Sequence, residues 1–135
     1  MTATALAPSL GATPSATLVE DPVHGERPLL RGRLHQLAFV ASIPLGVALV
    51  DAARSGARPA VAVYAVTWTL MLGTSAAYHV LAHTPAARFW LRRADHSAIF
   101  VHIAGANTAL LALSLPGGLA LALIVGIWVA AGFGV

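Results

Sequence analysis

Two residue types are missing from the 135-residue chain, cysteine and lysine. Without cysteine there are no disulfides, no thiolate metal sites and no cysteine nucleophiles. Any metal would have to be held by histidine, carboxylate or water, and the chain has six histidines. Without lysine, the whole basic complement is eight arginines. They stand at segment ends and in loops and form no patch interleaved with aromatics, which argues against a nucleic-acid partner. Charge of either sign is scarce: 10% of residues, where a soluble domain carries about 25%. With 58% hydrophobic residues and a mean hydropathy of +0.78, the composition is that of a membrane protein.

A basic n-region followed by a continuous apolar core is also missing from the N-terminus, so a cleaved signal peptide is not expected. Residues 1–28 are rich in Ala, Thr, Ser and Pro and include the acidic pair Glu20 and Asp21. They read as a disordered tail in which His24 is solvent-exposed and without a role. The expected organisation is a tail over residues 1–30 and a transmembrane helical domain over 31–135.

Four apolar segments fill that domain, and the expected fold class is an all-α polytopic transmembrane bundle. The first covers about 34–53. Some 20 residues at 1.5 Å rise cross a hydrocarbon core of about 30 Å, and Pro44 should kink this helix. The second, about 60–83, places Ala65, Thr69, Gly73 and Ala77 at four-residue intervals, a small-residue stripe suited to close helix contact. Thr84 and Pro85 stop it. A loop with Arg88, Arg92 and Arg93 leads to the third segment, about 95–115. Pro116, Gly117 and Gly118 turn the chain into the fourth, about 119–135, with a second small stripe of Ala122, Gly126, Ala130 and Gly134. That segment has no polar exit, as in a truncated reading frame or a fragment. Two stripes without closing partners make self-association an expectation.

Orientation follows from the arginines. Arg27, Arg31 and Arg33 with Arg88, Arg92 and Arg93 lie on one side, and only Arg54 and Arg58 on the other. The positive-inside rule places the N-terminus and the second loop in the cytoplasm, with His79 and Asp95 at that end.

Ionisable groups within membrane segments are costly and each is a functional-site candidate. Ser75 and His79 are four apart and share a helical face, and His83 continues it one turn later. His79 and His83 have the spacing of a helical metal-ligand pair, although His83 abuts Thr84-Pro85 at the surface, where an interfacial histidine needs no special role. Asp95 and His102 lie nearly on one stripe, with His102 about 10 Å deeper, whereas His96 points to a different face. Asp95 reads either as a functional carboxylate or as an N-terminal helix cap. His102 reads either as a further ligand or as a neutral interhelical contact. His35, followed at once by apolar residues, reads as a buried hydrogen-bonding histidine in preference to an interfacial one.

The motifs R-G-R-L-H, S-A-A-Y-H and R-R-A-D-H-S-A-I-F-V-H-I-A-G resemble the haemolysin III family, which is related to the progestin and adipoQ receptors, including the adiponectin receptors. The resemblance covers about residues 31–132. It implies seven membrane helices, of which this chain has four, and a bacterial plasma membrane. It also implies a zinc site near the cytoplasmic side, completed in the family by an H-x-x-x-H motif in the last helix. Carried over residue by residue, His79 corresponds to the first zinc ligand, and Ser75 and Asp95 to the groups that hold the zinc-bound water. His83 and His102 are further candidates for the metal. Zinc lowers the pKa of its water to about 7 and a nearby carboxylate orients it, a site suited to amide or ester hydrolysis of a lipid. The family's third helix typically continues I-A-G-T-Y-T-P, where this chain has Ile103-Ala104-Gly105-Ala106-Asn107-Thr108-Ala109, without the proline. The alternatives are a non-enzymatic pore-forming or cytolytic membrane protein and an inactive fragment.

Overall fold

The computed structural model describes residues 29–135, with side chains from Arg33 onward. The expected tail, with His24, lies outside the described residues, apart from Leu29 and Leu30, which open the first helix. Four helices follow in order: α1 (Leu29–Ala52), α2 (Arg58–Leu81), α3 (Pro85–Ser114) and α4 (Gly117–Gly134). Each is long and apolar enough to cross a membrane, and no strand occurs among the described residues.

The connections are short, which makes consecutive helices antiparallel neighbours. Arg58 closes the first, donating from Nε to the Ala53 carbonyl and from Nη2 to the Asp51 carbonyl, both at 3.3 Å. Contacts join α1 to α2, α2 to α3 and α3 to α4, and α1 does not touch α4. The helices therefore stand in an open row.

Small residues form the interior. Among the described residues the buried positions include Ser42, Ala65, Thr67, Ala76, Ala98, Ala104, Ala120 and Ala131, while leucines, valines, Phe89, Trp90 and Phe133 are exposed. Water would oppose this inside-out distribution. In lipid, where apolar side chains gain nothing by mutual burial, close backbone approach and hydrogen bonds hold helices together. The stripe on α2 serves this purpose. Gly46 of α1 packs on Ala65, the Ser42 hydroxyl donates to Thr69 Oγ1 at 3.0 Å, and Gly73 meets the Phe39 ring. The helix runs on through Pro44 without a break.

The stripe on α4 behaves differently. Ala122, Gly126 and Ala130 are exposed, and a Cβ at Gly126 would meet nothing within 4 Å. Only Gly134 approaches α3, at Phe100. The α3–α4 contact runs instead through buried Ala120 and Ala131 and a Trp128 Nε1 bond to Thr108 Oγ1 at 2.9 Å.

The third helix corrects the sequence reading. It begins at Pro85, about three turns before Asp95, so Asp95 is an interior residue and not a helix cap. The cap is Thr84, whose Oγ1 accepts from the Ala87 amide at 3.1 Å. Thr-Pro is itself a start signal, with the hydroxyl at the N-cap and proline at the first helical position. Residues 86–94 contain neither glycine nor proline and continue the helix unbroken. At 30 residues α3 is about 45 Å long, more than a hydrocarbon core of about 30 Å requires. Its first turns, with Arg88, Arg92 and Arg93, are the surplus.

Candidate functional site

Interhelical contacts fix the depth of each polar residue. Along α1 and α2, His35 meets His79, Phe39 meets Gly73, Ser42 meets Thr69 and Gly46 meets Ala65. Along α2 and α3, Thr67 meets both His102 and Gly105. Eight residues further along α2 is Ser75, and an antiparallel partner retreats by the same number. Ser75 is thus level with about residues 94–97, a band that includes Asp95. His79 lies about one turn nearer the α2–α3 connection.

Each of these side chains is partly buried. The His35 and His79 rings lie 5.1 Å apart between centroids, tilted by 49°, and Tyr78 stands 5.3 Å from the His79 ring. His35 is a true participant here: it is the α1 residue that meets the end of α2. Ser75 and Asp95 have no hydrogen-bond or ion-pair partner among the described residues, which leaves their oxygens available.

The other described histidines go elsewhere. His102 is about 18 Å from the level of His79, since twelve residues separate His79 from Thr67, the partner of His102 on α2. Its Nδ1 lies 3.4 Å from Thr67 Oγ1, and its ring is 5.6 Å from that of Tyr64. Tyr64 in turn stacks on Trp68, with centroids 6.1 Å apart. This is an interhelical contact within the bundle. His83 is exposed beyond the end of α2, and His96, also exposed, donates from Nδ1 to the Arg92 carbonyl at 2.9 Å.

Position along the bundle brings Ser75, His79 and Asp95 to one end, and adds His35. Among the described residues no group of three or more His, Cys, Asp or Glu side chains is close enough to hold a metal ion. The family described as haemolysin-III related matches residues 23–135. The chain belongs to the haemolysin-III-related family. No solved structure matches it. As a haemolysin-III-related protein with four helices among the described residues long and apolar enough to cross a membrane, it is an integral multi-pass membrane protein.

The Tyr64–Thr67–His102 contact and the pairing of His35 with His79 were not separable from sequence as specific contacts. The signal for His35 was the stripe on α2. Once Ala65, Thr69 and Gly73 are set against α1, the antiparallel register carries the first turns of α1 to His79.

Proposed function

We propose that the polar end of α1–α3 is the working centre of this membrane protein, with His79 as a zinc ligand and Ser75 and Asp95 as the groups facing the metal-bound water. On this reading the protein belongs with zinc-dependent hydrolases of lipid amides or esters, and the site opens on the cytoplasmic leaflet. The observation that carries it is the close approach of His35 to His79. A tetrahedral zinc with ligand bonds of about 2.0–2.1 Å holds two imidazole centroids roughly 5 Å apart, and the two rings stand at 5.1 Å. The depth shared by Ser75 and Asp95 supports a hydroxyl and a carboxylate working together.

The described donors fall short of a complete site. Two imidazoles do not make the three protein ligands of a catalytic zinc, and no third ligating side chain joins them. A further donor has to come from outside the described residues before the centre can hydrolyse anything. A second reading, which needs no third donor, is a non-enzymatic pore-forming or cytolytic membrane protein in which the histidines brace helices.

Metal analysis of the detergent-purified chain tests the choice. Stoichiometric zinc that is lost in His79→Ala supports the hydrolase-type centre. Metal-free protein that still permeabilises liposomes supports the second reading.

A further inference from the structure

The surplus turns of α3 form a cleft with the end of α2. Its volume is 530 Å³, and Tyr78, His83, Pro85, Arg88, Phe89 and Arg92 line it. That lies within the range of small-molecule sites, about 300–1,000 Å³. Arg88 and Arg92 are four residues apart and so share one helical face.

Among the described residues neither guanidinium has an acidic partner. The only acidic side chains in residues 29–135 are Asp51, at the opposite end of the bundle, and Asp95. Asp95 follows Arg92 by three residues and makes no ion pair among the described residues. Arg88 also sits at the end of the first turn of α3, where the helix dipole adds positive potential and no acidic residue offsets it. Two cations in one cleft with no ion-pair partner among the described residues call for an anion, and guanidinium groups match phosphate oxygens in a fork geometry.

Next to the arginines, Phe89 and Trp90 are 61% and 64% exposed and pack edge to face, with centroids 5.3 Å apart. A free anion would leave these two rings in water. At the depth where lipid headgroups meet acyl chains, an aromatic pair beside basic residues is at home.

We propose that this cleft binds the phosphate of an anionic phospholipid headgroup, with Arg88 and Arg92 on the phosphate oxygens and Phe89–Trp90 anchored at the membrane interface. The site rests on the chain being a membrane protein and is independent of zinc at His79. It gives a place to His83, which the zinc reading does not require.

Native mass spectrometry of the full chain in detergent, titrated with phosphatidylglycerol, measures the affinity. Arg88→Gln/Arg92→Gln should weaken binding on the order of thirtyfold, about fivefold per arginine, while Arg54→Gln at the opposite end leaves it unchanged. Arg92→Gln alone, at an exposed position, should weaken it about fivefold and serves if the double variant does not fold. Phosphatidylcholine should bind equally weakly to all forms. Unchanged phosphatidylglycerol affinity in the arginine variants would overturn the proposal. Displacement of the lipid by millimolar inorganic phosphate would overturn the lipid assignment and leave a free-anion site in its place.

Discussion

Replacing Gly105 with alanine tests the close α2–α3 packing on which the depth assignments depend. A Cβ at Gly105 would lie 2.8 Å from Thr67 Cγ2 and 2.9 Å from Thr67 Cβ, with Thr67 Oγ1 closer still. Thr67 cannot yield easily. It is β-branched, only 5% exposed, and its hydroxyl donates to the Tyr64 carbonyl at 3.0 Å. Overpacking of this kind costs about 1–3 kcal/mol, and displacing the hydroxyl costs about 0.5–1.5 kcal/mol more. The better helix propensity of alanine returns about 1 kcal/mol. A net loss of roughly 1–3 kcal/mol is expected, measurable by unfolding the full chain in mixed micelles with increasing SDS. Thr67→Ala removes the hydroxyl and Cγ2, two of the three clashing atoms. The double variant should therefore lose less than the sum of the single losses, by more than about 0.5 kcal/mol. A Gly105→Ala protein as stable as the parent, or strict additivity in the double variant, would refute the packing.

Trp128→Phe removes the bond to Thr108 and should cost about 0.6 kcal/mol in the same titration, typical of a single interhelical bond in a membrane; no change would mean that this bond does not hold α4 to α3. Thr84→Ala should cost about 1 kcal/mol and raise amide exchange in the first turns of α3, because the cap on the Ala87 amide is lost; protection confined to the region beyond Asp95 in the parent protein would restore the later helix start. In the cysteine-free background, Gly46→Cys/Ala65→Cys should oxidise readily, because the two β-carbons fall about 3.2 Å apart, near the roughly 3.5–4.5 Å of a disulfide. Gly46→Cys/Val66→Cys should not, since Val66 is exposed on another face. The reverse result would displace the α1–α2 register.

Much of the fold was legible because hydropathy and spacing are local. Four apolar segments became four helices, and the α2 stripe of small residues packs on α1 as its spacing requires. The α3 start departs from expectation for a physical reason. The arginine-rich run after Thr84-Pro85 reads as a loop because it is charged, yet arginine is a good helix former and nothing in the run breaks a helix. Surplus helix at the interface can carry charge that a spanning segment cannot. The α4 stripe shows the limit of spacing arguments: small residues permit close approach, but α4 meets α3 through Ala120, Trp128 and Ala131.

The candidate site was legible in part. Ser75, His79 and Asp95 stand out by their polarity within apolar segments and by the family motifs. Their relative depth does not, because it depends on the register between helices. His102 shows the same dependence. It shares a stripe with Asp95 on one helix, yet across the interface it meets Thr67 and Tyr64, about 18 Å from the level of His79.

The most direct test of the central claim is the zinc content per chain of the purified protein beside its His79→Ala variant, by plasma mass spectrometry. A centre built on His79 predicts zinc in the parent and its loss in the variant, with both proteins equally helical. Equal zinc in the two, or none in either, would contradict it.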